Sequence, residues 1–154
     1  ELIQECLQIY RNHTPSLQPY DDVISTLESI ASDYMIGLIS DGYLDVQKLK
    51  FKALGLSDYF DAVVFSDEWG RESWKPSQVP FEHCLGKLNV APHEALYIGD
   101  NPLKDFLGAN QLGMHSVWIK RPNREYLDRK PPTAEHMPHQ MIETLDELVT
   151  ILEK

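Results

Sequence analysis

The run Leu96-Tyr97-Ile98-Gly99-Asp100-Asn101-Pro102-Leu103-Lys104-Asp105 decides how the chain is read. Leu96, Tyr97 and Ile98 form an unbroken apolar stretch, the pattern of a short strand covered on both faces. Gly99 permits a sharp exit from that strand. Asn101 suits an N-cap, and Pro102 then falls at the first helical position, where its missing N–H costs nothing. The stretch therefore predicts strand, tight turn and helix in succession. Asp100 falls at the carboxyl end of the strand and Asp105 in the first turn of the helix, whose side chains lean back toward its N-terminus. Both carboxylates can face one point above the sheet edge, where open α/β sheets bind ligands. Two hard oxygen ligands beside a helix N-terminus suit a magnesium ion that also holds a phosphate. The same residues would serve equally as turn and helix-dipole partners, so the rest of the chain must point to the same place.

The rest of the chain repeats the alternation. Glu1 to Asn12 has helical spacing, with Leu2, Cys6, Ile9 and Tyr10 on one face, and Pro15 and Pro19 break the linker that follows. Asp21 to Ala31 reads as a helix and Tyr34 to Ile39 as a buried strand, ending in Ser40-Asp41-Gly42. Leu44 to Leu54 is helical, Phe60 to Phe65 is a strand, and a polar loop, Ser66 to Trp74, delivers Lys75-Pro76-Ser77. Phe81, Cys84, Leu85 and Leu88 mark a helix, His115 to Ile119 a strand, Arg121 to Pro138 a surface loop and His139 to Ile142 a last strand. Thr144 and Glu147 form a capping box for the terminal helix. Strand alternating with helix implies a three-layer, doubly wound α/β fold with a mostly parallel sheet.

Composition narrows the partners. The 154 residues carry a net charge of −10, which argues against nucleic acid and anionic membranes but leaves room for a small phosphorylated ligand. No apolar run is long enough to span a membrane, and a cytoplasmic location is the default expectation. Cys6 and Cys84 both sit in apolar helical patterns and are expected to be buried free thiols. His136 and His139 flank Pro138 without a third ligand and read as surface residues, and Arg71 and Trp69 read as loop packing.

In a parallel sheet, Ser40, Lys75, Asp100 and Asp105 lie along one edge, so a hydroxyl donor, a cation and paired carboxylates meet there. That set suits phosphoryl transfer, which rests on positioning and on neutralising charge. Leu38-Ile39-Ser40-Asp41-Gly42, then Lys75-Pro76-Ser77 with Phe81, then Gly99 to Asp105 continuing into Gly108-Ala109-Asn110, resemble in order and spacing the second, third and fourth motifs of the haloacid dehalogenase superfamily. The likeness is to its phosphatases with a helical cap inserted early in a Rossmann-like core. It divides the chain into the end of a helical cap and linker (1–19) and the core (20–154). It implies that Ser40, with the backbone N–H groups of Asp41 and Gly42, binds a phosphoryl oxygen. It implies further that Lys75 offsets the charge of nucleophile and phosphate, that Asp100 binds Mg2+, and that Asp105 binds the ion or fixes Lys75. The acidic pair resembles the phosphatase branch rather than the metal-free dehalogenases.

The family's first motif, an Asp-x-Asp whose first Asp is the nucleophile, occurs nowhere in the sequence. The chain is therefore expected to lack the first central strand, to be inactive alone, and to need an upstream segment of the same protein or a partner chain to supply that strand. Two other classes compete: a non-catalytic binding or regulatory module that has lost the nucleophile, and a receiver-like doubly wound domain. The second of these explains the alternation but not Lys75 or the Asp pair.

Overall fold

The computed structural model describes residues 1–122 and 125–152, apart from the side chains of residues 10 and 12. The Tyr10 position on the first helix, and Asn123 and Arg124 in the expected surface loop, therefore lie outside the described residues. The main elements run α1 (Leu2–Asn12), α2 (Asp21–Ile30), β1 (Gly37–Ser40), α3 (Leu44–Leu54), β2 (Ala62–Phe65), α4 (Val79–Leu88), β3 (Leu96–Gly99), α5 (Phe106–Leu112), β4 (His115–Ile119), β5 (Gln140–Ile142) and α6 (Asp146–Leu152).

All strand pairs are parallel. β1 pairs with β2 in the register Leu38 opposite Val63, and β3-β4-β5 form a second ladder with Ile98 opposite Val117 and Trp118 opposite Met141. The alternation of side chains sorts the layers. Val64 and Ala62 face Cys84 and Leu88 of α4, while Phe65 faces Phe51 of α3. Phe81, Leu85, Ala109 and Met114 pack α4 and α5 on one face of β3, and Val117, Ile142 and Leu148 pack α6 on the other. The result is the three-layer parallel architecture that alternating elements imply.

The two ladders do not hydrogen-bond to each other. A cleft of about 440 Å³ separates them, lined by Gly37, Leu38 and Ile39 of β1 and by Leu96, Tyr97 and Ile98 of β3.

Several boundaries differ from the sequence reading. β1 begins at Gly37, and Tyr34 and Met35 remain 43% and 54% exposed, because only the second half of that apolar run has a strand to pair with. Cys6 is exposed and only Cys84 is buried; Leu2, Ile3 and Ile9 on α1 are each more than 70% exposed as well, so these apolar side chains stand in solvent. α5 starts at Phe106, four residues after Pro102. Between them Asn101 closes a separate turn, its carbonyl accepting from Asp105 N–H at 2.9 Å and its side chain from Leu103 N–H at 3.0 Å.

α5 lies against the loop that carries Lys75. A Cβ on Gly108 would fall 2.8 Å from the Pro76 carbonyl oxygen, 2.9 Å from that of Ser77 and 2.8 Å from Phe81. Two of these neighbours are backbone and cannot turn away. Gly108→Ala is expected to destabilise the fold by about 1–3 kcal/mol, lowering Tm by several degrees in thermal unfolding. Gly86→Ala, inside α4 with open space at the Cβ position, should instead stabilise by about 0.5–1 kcal/mol. Equal Tm values for the two variants would contradict the close approach.

Candidate active site

The site is built at the carboxyl ends of β1 and β3 and the loop after β2. Gly99 ends β3, and a Cβ there would lie 2.7 Å from Asp105 Oδ2. That closeness lets the Asp105 carboxylate fold back over the turn. Its Oδ2 accepts from the N–H groups of Asp100 at 3.0 Å and Asn101 at 2.8 Å. Its Oδ1 lies 2.8 Å from Lys75 Nζ, a charge contact out of line for a good hydrogen bond. Lys75 also donates to the Tyr97 hydroxyl at 2.9 Å. Both side chains are nearly enclosed, at 9% exposed for Lys75 and 2% for Asp105. Burial opposes the Lys75 charge, but the Tyr97 oxygen, Asp105 and Asp41 outweigh it and keep the ammonium protonated far above the usual lysine range.

Asp41 joins the three loops. It accepts from Ser66 at 2.7 Å and from the backbone N–H of Lys75 at 3.4 Å, and it pairs with Lys104 at 2.8 Å. Its side chain is 3% exposed. Burial alone would raise its pKa; the Lys75 charge and the bonds from Lys104 and Ser66 reverse this and hold it below the ordinary carboxylate value. Ser40 stands beside this knot, with its hydroxyl donating to Gln47 Oε1 on α3 at 3.1 Å. Gly42 follows in an open turn with φ of 131°.

Asp100 lies at the rim of a second cleft of about 360 Å³, which it shares with Lys75, Asp105, Tyr97 and Trp118. Its carbonyl accepts from the Trp118 indole at 3.1 Å. Partial desolvation, and then the neighbouring Asp105 charge, raise its pKa. A carboxylate disfavoured in this way gains from a cation. Among the described residues no three His, Cys, Asp or Glu side chains cluster as a metal site. Both Asp105 oxygens are already engaged, one by Lys75 and one by two backbone N–H groups, so the protein offers the Asp100 carboxylate, which fits Mg2+, an ion that keeps several waters and takes its remaining ligands from phosphate.

The structure therefore brings together Asp41, Lys75, Asp100 and Asp105, with Ser40, the last residue of β1, and Gly42 on either side of Asp41 in the chain. Tyr97, Lys104, Ser66 and Gln47 were not singled out by sequence. Lys104 stands inside the motif that was read, but only the fold shows that it reaches Asp41, 63 positions earlier. Tyr97 is hidden by its own strand, where it counts as one apolar residue among three. His136 and His139 bond to Thr133 and Ser116, as loop residues would.

A parallel three-layer core with charged side chains gathered at its strand ends defines a Rossmann-like class of α/β protein. The chain belongs to the haloacid dehalogenase-like hydrolase family, whose model matches residues 1–119. It is 36% identical over 137 residues to the glyceraldehyde 3-phosphate phosphatase of Methanopyrus kandleri, a match covering 88% of this chain and 57% of that protein. It is 29% identical over 155 aligned residues to the N-acylneuraminate-9-phosphatase of Mus musculus, covering 99% of this chain and 60% of that one. A solved haloacid dehalogenase-type phosphatase from Thermococcus onnurineus superimposes with a TM-score of 0.74 at 35% identity, covering 97% of this chain and 64% of that one. The chain thus spans about three-fifths of the length of these relatives.

Two outcomes test the geometry. Lys75→Met and Asp105→Asn should each cost about 3 kcal/mol in urea denaturation, because each strands a buried partner, and the double variant should cost clearly less than both together. Additive costs would show that the pair is uncoupled. Asp41, with its folded pKa lowered, contributes stability that is present above about pH 4 and is lost as pH falls through the folded value. Asp41→Asn should flatten that acid limb of a Tm-against-pH curve, and an unchanged limb would contradict the assignment.

Proposed function

We propose that this chain is the core of a Mg2+-dependent phosphatase, a phosphoric monoester hydrolase acting on a small phosphorylated metabolite. The observation that carries the reading is the enclosed Lys75 ammonium held among Asp41, Asp105 and Tyr97, at the cleft that Asp100 overlooks. The similar proteins, phosphatases of small phosphorylated compounds, support it. Lys75 would neutralise a phosphoryl group. Ser40, with the N–H groups of Asp41 and Gly42, would hold its oxygens. For Ser40 to donate, the Gln47 amide must turn so that its nitrogen faces the hydroxyl, an exchange that amides make readily. Asp100 would hold Mg2+, and Asp105, held by Lys75 and two backbone N–H groups, would set both groups in place. Bound there, Mg2+ would supply charge stabilisation to the phosphoryl oxygens.

The nucleophile comes from an Asp-x-Asp strand, contributed by an upstream segment of the same protein or by a partner chain. The cleft between β1 and β3 supports this, since it presents two facing strand edges of four residues each, lined by apolar side chains. Residues 1–19 would be the end of a helical cap and its linker. Among the described residues no helix is long and apolar enough to cross a membrane. Two free thiols, Cys84 buried and Cys6 exposed, suit a reducing, cytoplasmic setting. One observation favours a second reading, a non-catalytic module: the 154 residues contain no Asp-x-Asp.

Mg2+ at saturating concentration should raise the Tm of this chain by several degrees, and Asp100→Ala should abolish the shift. With the Asp-x-Asp strand supplied, hydrolysis of a phosphate ester should appear, and Asp100→Ala should reduce it about 100-fold or more. Full activity in that variant would refute the metal assignment. Mg2+ binding without turnover in the joined protein would favour the second reading.

A further inference from the structure

Two guanidinium groups converge on one aromatic ring at the edge of the site. Arg11 of α1 lies with its Cζ 4.5 Å from the centre of the Tyr43 ring, and Arg71, on the loop before Lys75, lies 4.7 Å from the same centre. Arg71 also contacts the Tyr43 hydroxyl and stands 5.6 Å from the centre of the Trp74 ring, which meets Tyr43 edge-on. The platform is held in place. Asp67 accepts from the Trp74 indole at 3.0 Å and from Leu44 N–H at 2.9 Å, so one carboxylate fixes the residue after Tyr43 and the second ring together.

Among the described residues neither Arg11 nor Arg71 pairs with a carboxylate within 4 Å, so both charges are left to the ring they share. Two like charges sharing a ring repel, and cation–π contact offsets only part of that. An anion between them relieves the repulsion and takes paired donors from a planar fork. Tyr43 directly follows Gly42, and Trp74 directly precedes Lys75. With their Cα atoms about 3.8 Å from those of Gly42 and Lys75, Tyr43 and Trp74 stand beside the two residues read as phosphate-binding.

We infer that Arg71 and Arg11, mounted on Tyr43 and Trp74, form a second anion subsite that selects phosphomonoesters bearing a carboxylate on the same small molecule. The inference rests on the phosphatase reading given above. It assigns substrate selection partly to the loop between β2 and α4, and partly to α1.

The test is a pair of binding titrations by NMR in the presence of Mg2+, with glycerol 3-phosphate and 3-phosphoglycerate, which differ in that one bears a carboxylate. The chain should bind 3-phosphoglycerate about tenfold more tightly. Arg71→Gln and Arg11→Gln should each bring the ratio below about threefold. Lys48→Gln, which removes a positive charge from exposed α3, should leave the ratio intact. Equal binding of the two probes by the unaltered chain would overturn the subsite, as would a ratio that survives both arginine variants or one lost equally in Lys48→Gln. If glycerol 3-phosphate does not bind, or binds equally well after Lys75→Met, the phosphatase reading itself fails and the subsite falls with it.

Discussion

The buried contact between Lys75 and Asp105 is the constraint on which the site depends. An ammonium inside a protein must be paired, and here its partner is already committed. Asp105 uses its second oxygen to hold the N–H groups of Asp100 and Asn101, so the acid that anchors the lysine also shapes the turn after β3. The loop carrying Lys75 is pressed into position by α5, which approaches so closely at Gly108 that only hydrogen fits. Two distant stretches of sequence are thereby locked to each other through one ion pair and one steric contact.

Charge accounts for the rest of the arrangement. Asp41, Asp100 and Asp105 face Lys75 and Lys104, so three carboxylates meet two ammonium groups and one negative charge is left over. Burial first, and the Asp105 charge after it, raise the pKa of Asp100 and make it the carboxylate that gains most from a cation. A divalent cation would convert the excess into a net positive charge, the condition for holding a phosphate dianion in a chain that is acidic overall. Metal and phosphate are on this view linked ligands, each improving the site for the other.

Much of this was legible in the sequence because the signals were local. Apolar runs ending in Ser40 and Gly99 marked strand ends, and a parallel sheet necessarily brings such ends to one edge. Asp100 and Asp105 were readable from the turn they flank. The interruption between β1 and β3 is visible only in the pairing of the strands. What escaped was set by contacts between segments far apart in the chain. Lys104 has no role legible in its own turn, and only the fold places Asp41 within its reach. Tyr97 was counted for its ring, while its hydroxyl serves Lys75. Cys6 belongs to a helical apolar pattern yet is exposed, and Phe106 rather than Pro102 opens α5 because the Asn101 turn comes first. Periodicity reports which face of an element is apolar and is silent on whether anything covers it.

The measurement that tests the central claim most directly is a crystal structure of this chain grown with Mg2+ and tungstate, a dense phosphate mimic. The account expects tungstate within hydrogen-bonding distance of Lys75 Nζ and the Ser40 hydroxyl, with Mg2+ on the Asp100 carboxylate between them. Tungstate bound elsewhere, with Asp100 free of metal and Lys75 still enclosed by Asp105 and Tyr97, would contradict it and leave the buried pair a purely structural device.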